Sequence, residues 1–300
     1  MVKRKTYRTI FFLILVVSRM CVVQASDTTK VNKTRLYMVA GATTLTLAGT
    51  YYYLQNVWWN EDKTSFKIDW DMDYRYARNL DKTGHFFGGM ITAELFDAAF
   101  IWAGVPKKRS IWYAAAAGNV IQTFIELKDA FAPTYGFSLG DWGAGTLGSC
   151  IPLLQHYYPK TKAITFKMSY YRHHDYYYQQ FPYAQLIDDY MNQTYWLSVS
   201  VNDWLPKGSR IEKIWPDFLT IAGGWGTDET LNYYYKGVNL EENKGKGREE
   251  FYLSIDVDWR KIIKQRTTFN RVLSYSLNCI KLPMPTVRFA PGTKWYPFYL

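Results

Sequence analysis

Four stretches of the chain are long, apolar and nearly free of charge: Leu36 to Leu54, Phe86 to Gly104 with only Glu94 and Asp97, Ile111 to Leu127 with only Glu126, and Trp142 to Tyr157. Their Gly, Ala, Ser and Thr residues allow helix backbones to approach closely, so they predict a compact N-terminal helical bundle. At 16 to 19 residues they fall between a short transmembrane span and a long core helix. Length therefore leaves open whether the bundle lies within or against a membrane, or is buried by the rest of the chain. Past residue 160 or so the period changes from helical to alternating. Phe251, Leu253, Ile255, Val257 and Trp259 fall on one face, and Tyr252, Ser254, Asp256, Asp258 and Arg260 on the other, which predicts a strand. Ile164 to Tyr170 alternates as well, Leu197, Val199 and Val201 interleave with Ser198 and Ser200, and Phe218 to Trp225 reads as a further strand. Tyr183 to Met191 and Lys261 to Leu277 look helical, whereas the Lys-, Glu- and Gly-rich stretch from Asn239 to Arg248 predicts a solvated loop.

The pattern is that of an α+β protein: an apolar helical bundle followed by a mostly antiparallel β-sheet half with short helices. The C-terminal Trp295, Tyr296, Phe298 and Tyr299 form an aromatic end like those of outer-membrane strands, although Pro297 and the final Leu300 fit that pattern imperfectly. Five or six strand segments are fewer than the ~8 that close the smallest spanning barrels. The expectation is a sheet packed against the helical half, with a lipid-facing or partly closed sheet as the alternative.

The N-terminus adds a destination. Lys3, Arg4, Lys5 and Arg8 precede the apolar core Ile10 to Val17, and Val23-Gln24-Ala25 offers small residues for cleavage, so residues 1–25 predict a secretion signal. An uncleaved anchor is the rival reading, but the apolar core is short against the ~20 residues of a span. Residues 26–160 then form the bundle and 161–300 the β-rich half, in a periplasmic or outer-membrane-associated protein of a Gram-negative envelope. Cys150 and Cys279 remain, either as one disulfide or as two free thiols. The formal net charge of +10 and pI of about 9.2 include the four positive residues that open the signal. For an exported chain that charge points to anionic lipid or an envelope polymer as partner rather than to nucleic acid.

Candidate chemistry is concentrated between Asp81 and Gly148. Asp81 and His85 are four apart and share a helix face, while Asn119, Gln122, Glu126 and Asp129 step by three and four along a second face. Buried groups of this kind need partners, in one another, in a metal or in a ligand. The expected ligand-binding set is Asp81, Lys82, His85, Gln122, Glu126, Asp129, Ser138 and Asp141. The metal candidates are Asp81, His85, Glu126 and Asp129, whose nitrogen and oxygen donors suit Zn²⁺ or Mn²⁺. For catalysis the candidates are His85, Glu126 and Asp129, as general base and as acid or metal ligand. Ser138 and Asp141, three apart before an apolar run, also read as a helix capping box. Phosphate-binding Gly-rich loops, Cys-based zinc motifs, Gly-x-Ser-x-Gly elbows and His-Glu-x-x-His pairs are absent from the sequence.

Asp81-Lys82-x-x-His85, Glu126-x-x-Asp129 and Tyr135-Gly136-Phe137-Ser138-x-Gly140-Asp141 followed by Gly148 resemble the YfiM-like family of predicted periplasmic lipoproteins. The Asp-Lys-x-x-His start and Ser-x-x-Asp end are also similar to VanZ-like membrane proteins. The chain departs from this pattern at Gly145, where Asn is expected, and Ser18-Arg19-Met20 before Cys21 lacks a lipoprotein signal. The resemblance implies an envelope protein and assigns no reaction. The reading that follows is a membrane-associated envelope protein with a structural or ligand-binding role for its buried polar cluster, and an envelope lipid or cell-wall glycan hydrolase as the competing class.

Overall fold

In the computed structural model the described residues are 30–57, 59, 62–70, 76–133, 135–173, 175, 186–228, 231 and 247–300. The predicted signal, the start of the Tyr183 to Met191 segment and most of the loop from 239 to 248 lie outside them. Among the described residues, seven α-helices and a six-stranded antiparallel sheet give a mixed α+β architecture.

The four apolar stretches are all helical: α1 (Lys33–Val57), α2 (Leu80–Trp102), α3 (Lys107–Asp129) and α4 (Leu139–Tyr157). Among the described residues no helix is long and apolar enough to cross a membrane. Helices α2, α3 and α4 pack side by side, and the small residues explain how. A Cβ at Gly148 would fall on the Phe86 carbonyl oxygen and one at Gly89 on the Gly145 carbonyl oxygen, so α2 and α4 meet backbone to backbone. At Gly145, where Asn was expected, a Cβ would sit 2.6 Å from Cγ of Gln122. The missing side chain is what lets Gln122 of α3 lie between the helices. Helix α2 follows a 3₁₀ turn, Tyr76–Asn79, in which Ala77, Arg78 and Asn79 all have positive φ (45°, 56° and 65°).

The sheet runs β1 (Ile164–Tyr170), β2 (Gln193–Ser200), β3 (Leu219–Thr227), β4 (Glu249–Val257), β5 (Met284–Ala290) and β6 (Lys294–Tyr299), each strand antiparallel to the next. Strand β6 carries the residues read as an aromatic end, and β5 lies in a stretch for which no element was expected. The segment Lys261 to Leu277 is not one helix; α6 (Trp259–Ile262) and α7 (Thr268–Asn278) flank an interruption, and α5 (Arg210–Ile214) is a short helix between β2 and β3. Ile187 and Met191, expected in a helix, lie in two 3₁₀ turns, Leu186–Asp188 and Tyr190–Asn192.

The sheet curls strongly. Met168 N–H donates to the Cys279 carbonyl and Lys281 N–H to the Met168 carbonyl, so the chain entering β5 lies beside β1. Side chains of distant strands meet in the interior: Lys167 Nζ of β1 lies 2.7 Å from Asp256 Oδ2 of β4, and Thr194 of β2 shares a 3.2 Å hydrogen bond with Tyr299 of β6. Gly224 leaves room for the buried Trp196, whose indole N–H donates to Ser169 Oγ. The alternation is inverted relative to the usual antiparallel sheet, which buries its apolar face. Ser198, Thr220, Tyr252, Ser254, Asp256 and Thr286 are buried inside, while Leu197, Ile221, Phe251, Leu253 and Ile255 are exposed outside. The expected packing of the sheet on the helices is thus confined to one side, where Phe166, Met168, Tyr195 and Trp225 join Phe87 and Met90 of α2 in a common core. Cys150 and Cys279 are both free thiols.

Candidate functional site

The cluster is assembled from three helices. His85, one turn after Asp81 on α2, is held by α3: its Nδ1 lies 3.0 Å from Gln122 Oε1 and 3.5 Å from Glu126 Oε1. Because Gln122 presents its carbonyl oxygen, Nδ1 is the donor, which leaves Nε2 toward Asp81 Oδ1, 3.8 Å away. Helix α4 brings Asp141. Its first turn is capped as Ser138 and Asp141 suggested, with Ser138 Oγ accepting from the Asp141 N–H at 2.9 Å. The carboxylate that takes the Ser138 N–H, however, is Glu126 of α3, at 3.0 Å. The cap therefore also ties α4 to the cluster, and Lys82 Nζ sits 3.4 Å from Asp141 Oδ1.

Asp81, His85 and Asp141 each offer a ligand atom, all within 4.8 Å of one another. This set differs from the metal candidates read along the helices. Asp129 lines the same cavity but accepts from the Trp59 indole N–H at 2.5 Å, and Glu126 is engaged with Ser138 and His85. Asp141 replaces them because α4 crosses α2 at its glycines, a juxtaposition that spacing within one helix cannot reveal. Asn119 also leaves the predicted face, donating to Thr146 of α4 at 2.6 Å. Asp141 Oδ1 is buried and accepts no hydrogen bond.

The cluster forms one wall of a cavity of about 490 Å³. Its lining is mainly apolar but includes six acidic residues, Asp69, Asp81, Glu126, Asp129, Asp141 and Asp188, with His85 as the facing cation. The opposite wall comes from the second half of the chain, which sequence reasoning about the helices missed. Tyr190 donates its hydroxyl to Asp81 Oδ1, and Tyr195 stands over Gly84, where a Cβ would meet its hydroxyl at 3.0 Å. Nothing in the spacing of Tyr190 and Tyr195 along the sequence ties them to Asp81. His173 stacks on Tyr299, with ring centroids 5.9 Å apart.

The electrostatics follow from crowding carboxylates in a dry place. Burial works against the His85 imidazolium, but Asp81, Asp141 and Glu126 outweigh it and push its pKa up to about 9. Burial pushes Glu126 up to about 8, against the pull of His85. Asp141 is pushed up to about 7 by burial and by Asp81, and Asp129 to about 6, chiefly by burial. A pH prediction results for protein stripped of cations. Below about pH 6.5 His85 is charged folded or unfolded, and its attraction to the carboxylates contributes fully; it is lost as pH rises from there through about 9. Glu126 acts with the same sign, because a folded-state pKa raised from 4.5 to about 8 favours folding at low pH and opposes it once the group must ionise. Urea denaturation at constant ionic strength with chelator should show stability falling from about pH 5 to pH 9. In His85→Gln the part of that slope above about pH 6.5 should flatten.

The cluster lies in the part of the chain that matches a described family.
Residues 69–157 match the family described as "Predicted periplasmic lipoprotein (DUF2279)". The match spans α2, α3, α4 and the cluster they carry, and leaves the sheet outside. The family is of unknown function, and its description agrees with the periplasmic localisation expected from the N-terminal sequence. No curated protein and no solved structure matches the chain.

Proposed function

We propose that this is an envelope binding protein whose cavity takes a ligand through a divalent cation held by Asp81, His85 and Asp141. The observation that carries the reading is the convergence of one ligand atom each from Asp81, His85 and Asp141, all within 4.8 Å of one another on the cavity wall. Asp141 Oδ1 accepts no hydrogen bond and faces the Lys82 ammonium at 3.4 Å, so a cation in the cluster would supply the close partner that this buried oxygen lacks. The donor set of one imidazole and two carboxylates suits Zn²⁺ or Mn²⁺. Gln122 supports this by receiving Nδ1–H, which directs Nε2 toward the carboxylates, the orienting role that metal-bound histidines need. A cation would displace the proton that the imidazole otherwise keeps, so affinity should rise with pH. The remaining cavity, with Phe87, Tyr190 and Tyr195, has room for an organic group beside the ion. The likeness of these motifs to YfiM-like and VanZ-like proteins fits an envelope role.

The test is the metal content of natively purified protein, followed by titration of chelator-stripped protein with Zn²⁺ and Mn²⁺. Near-stoichiometric metal is expected in the wild type and none in His85→Ala, with affinity reduced roughly 10- to 100-fold in Gln122→Ala. No binding of either ion by folded wild-type protein would sink the proposal. A hydrolase is the second reading, favoured by Glu126, a cavity-lining carboxyl pushed into the range useful for general acid–base work. It predicts that Glu126→Gln still binds the ion but no longer turns over an envelope lipid or glycan.

A further inference from the structure

We infer that the outer face of the curled sheet is seated in the hydrocarbon of one leaflet of an anionic membrane. The inference is independent of the cavity and its cation.

The first observation is the reversed polarity of the sheet. Along β4, Phe251, Leu253 and Ile255 point outward with 37%, 53% and 36% of their surface exposed, while Glu250, Tyr252, Ser254 and Asp256 are buried between them. The row continues across the register: Leu253 pairs with Gly223 of β3 and Val287 of β5, Ile255 with Ile221 and Ile221 with Val199. Phe289 and Trp295 extend it to β5 and β6. Inside stands a fully buried ion pair, Lys167 with Asp256, along with Arg288 paired to Glu250. Water selects the opposite arrangement. Polar residues inside and an apolar belt outside are what lipid selects, because hydrocarbon solvates the belt while the ladder pairs β2 to β5 on both sides. Helix α2 covers only the flank at Phe166, Met168, Tyr195 and Trp225, leaving the rest of the belt open.

The second observation is charge. At the sheet end where β2 and β4 finish, two connections lie together, joined by Lys261 bonding Asp203 and Asp217. They expose Trp204, Ile211, Ile214 and Ile262 beside Lys207, Arg210, Lys213, Lys264 and Arg266. Apolar and aromatic side chains interleaved with basic ones match the border between acyl chains and anionic headgroups. Strands of six to nine residues in a sheet of six are short and few against the ~9–11 residues and ~8 strands of a spanning barrel, so the face enters one leaflet rather than crossing the bilayer.

The experiment is flotation of the purified full chain with vesicles of phosphatidylcholine, with and without phosphatidylglycerol. Co-flotation is expected, stronger with phosphatidylglycerol. Leu253→Asp with Ile221→Asp should lower partition about tenfold or more in both vesicle types. Lys207→Glu with Lys213→Glu should lower it only where phosphatidylglycerol is present. A second readout does not depend on the charged variants folding: in Leu253→Cys, maleimide labelling of the peptide containing residue 253, followed by mass spectrometry, should be suppressed by vesicles. Labelling unchanged by vesicles, or flotation equal in the Asp variant and the wild type, overturns the inference. So does a lipid-free dimer that Leu253→Asp dissociates, since the belt would then be covered by a second copy.

Discussion

Replacing Lys167 by Met should destabilise the protein by about 3–5 kcal/mol, the usual effect of removing one member of a buried ion pair. Lys167 and Asp256 have side chains only 1% exposed, and Lys167 Nζ also donates to the Val257 carbonyl at 2.6 Å. Without the cation, Asp256 keeps only the hydrogen bond from Ser198 at Oδ2, and its Oδ1 already accepts none. The carboxylate must then be protonated or the sheet must open to water. The double variant Lys167→Met, Asp256→Leu should recover most of the loss, because an apolar pair of similar volume removes both desolvation terms. Equilibrium denaturation of the single and double variants, followed by tryptophan fluorescence with Trp196 buried beside the pair, measures this. Equal losses in single and double variants would mean that the interior needs the charges themselves.

Gly148→Ala is the second large effect expected, a loss of about 3 kcal/mol, at the upper end for overpacking. The added methyl would fall on the Phe86 carbonyl oxygen, and backbone cannot rotate aside as a side chain can. Helices α2 and α4 must separate, which also carries His85 away from Asp141. Cation affinity should therefore fall with stability, although Gly148 touches no donor of the cluster. Gly143→Ala on the same helix is the control. A Cβ there meets nothing within 4 Å, so it should be neutral or stabilising by up to ~1 kcal/mol through helix propensity alone. Urea denaturation compares the two; an equal response at both positions would rule out the close approach as the cause.

Much of the local structure was legible without coordinates. The pairing of Asp81 with His85, the face shared by Gln122 and Glu126, and the Ser138 cap depend on residues within one helical turn or on one helix face, and periodicity reports these directly. Asp129 shows where that reasoning stops. It lies on the predicted stripe, but the indole of Trp59, seventy residues away in sequence, takes it out of the cluster. Gly145 was read as a departure from a pattern, whereas its consequence is the space that Gln122 occupies.

The sequence by itself determined which residues are helical or extended and which side chains share a face, because those follow from backbone periods of 3.6 and 2. Tertiary structure decided which face turns inward and which helices meet. Alternation in β4 reads the same whether Leu253 or Ser254 is buried, and only the curl of six strands, with Lys167 reaching Asp256, places the polar row inside. Likewise, Asp141 joins Asp81 and His85 only because α4 and α2 touch at Gly148 and Gly89, and Tyr190 reaches Asp81 only because the sheet folds back on α2. Contacts between residues so far apart in sequence depend on how whole elements pack, and no local period encodes that.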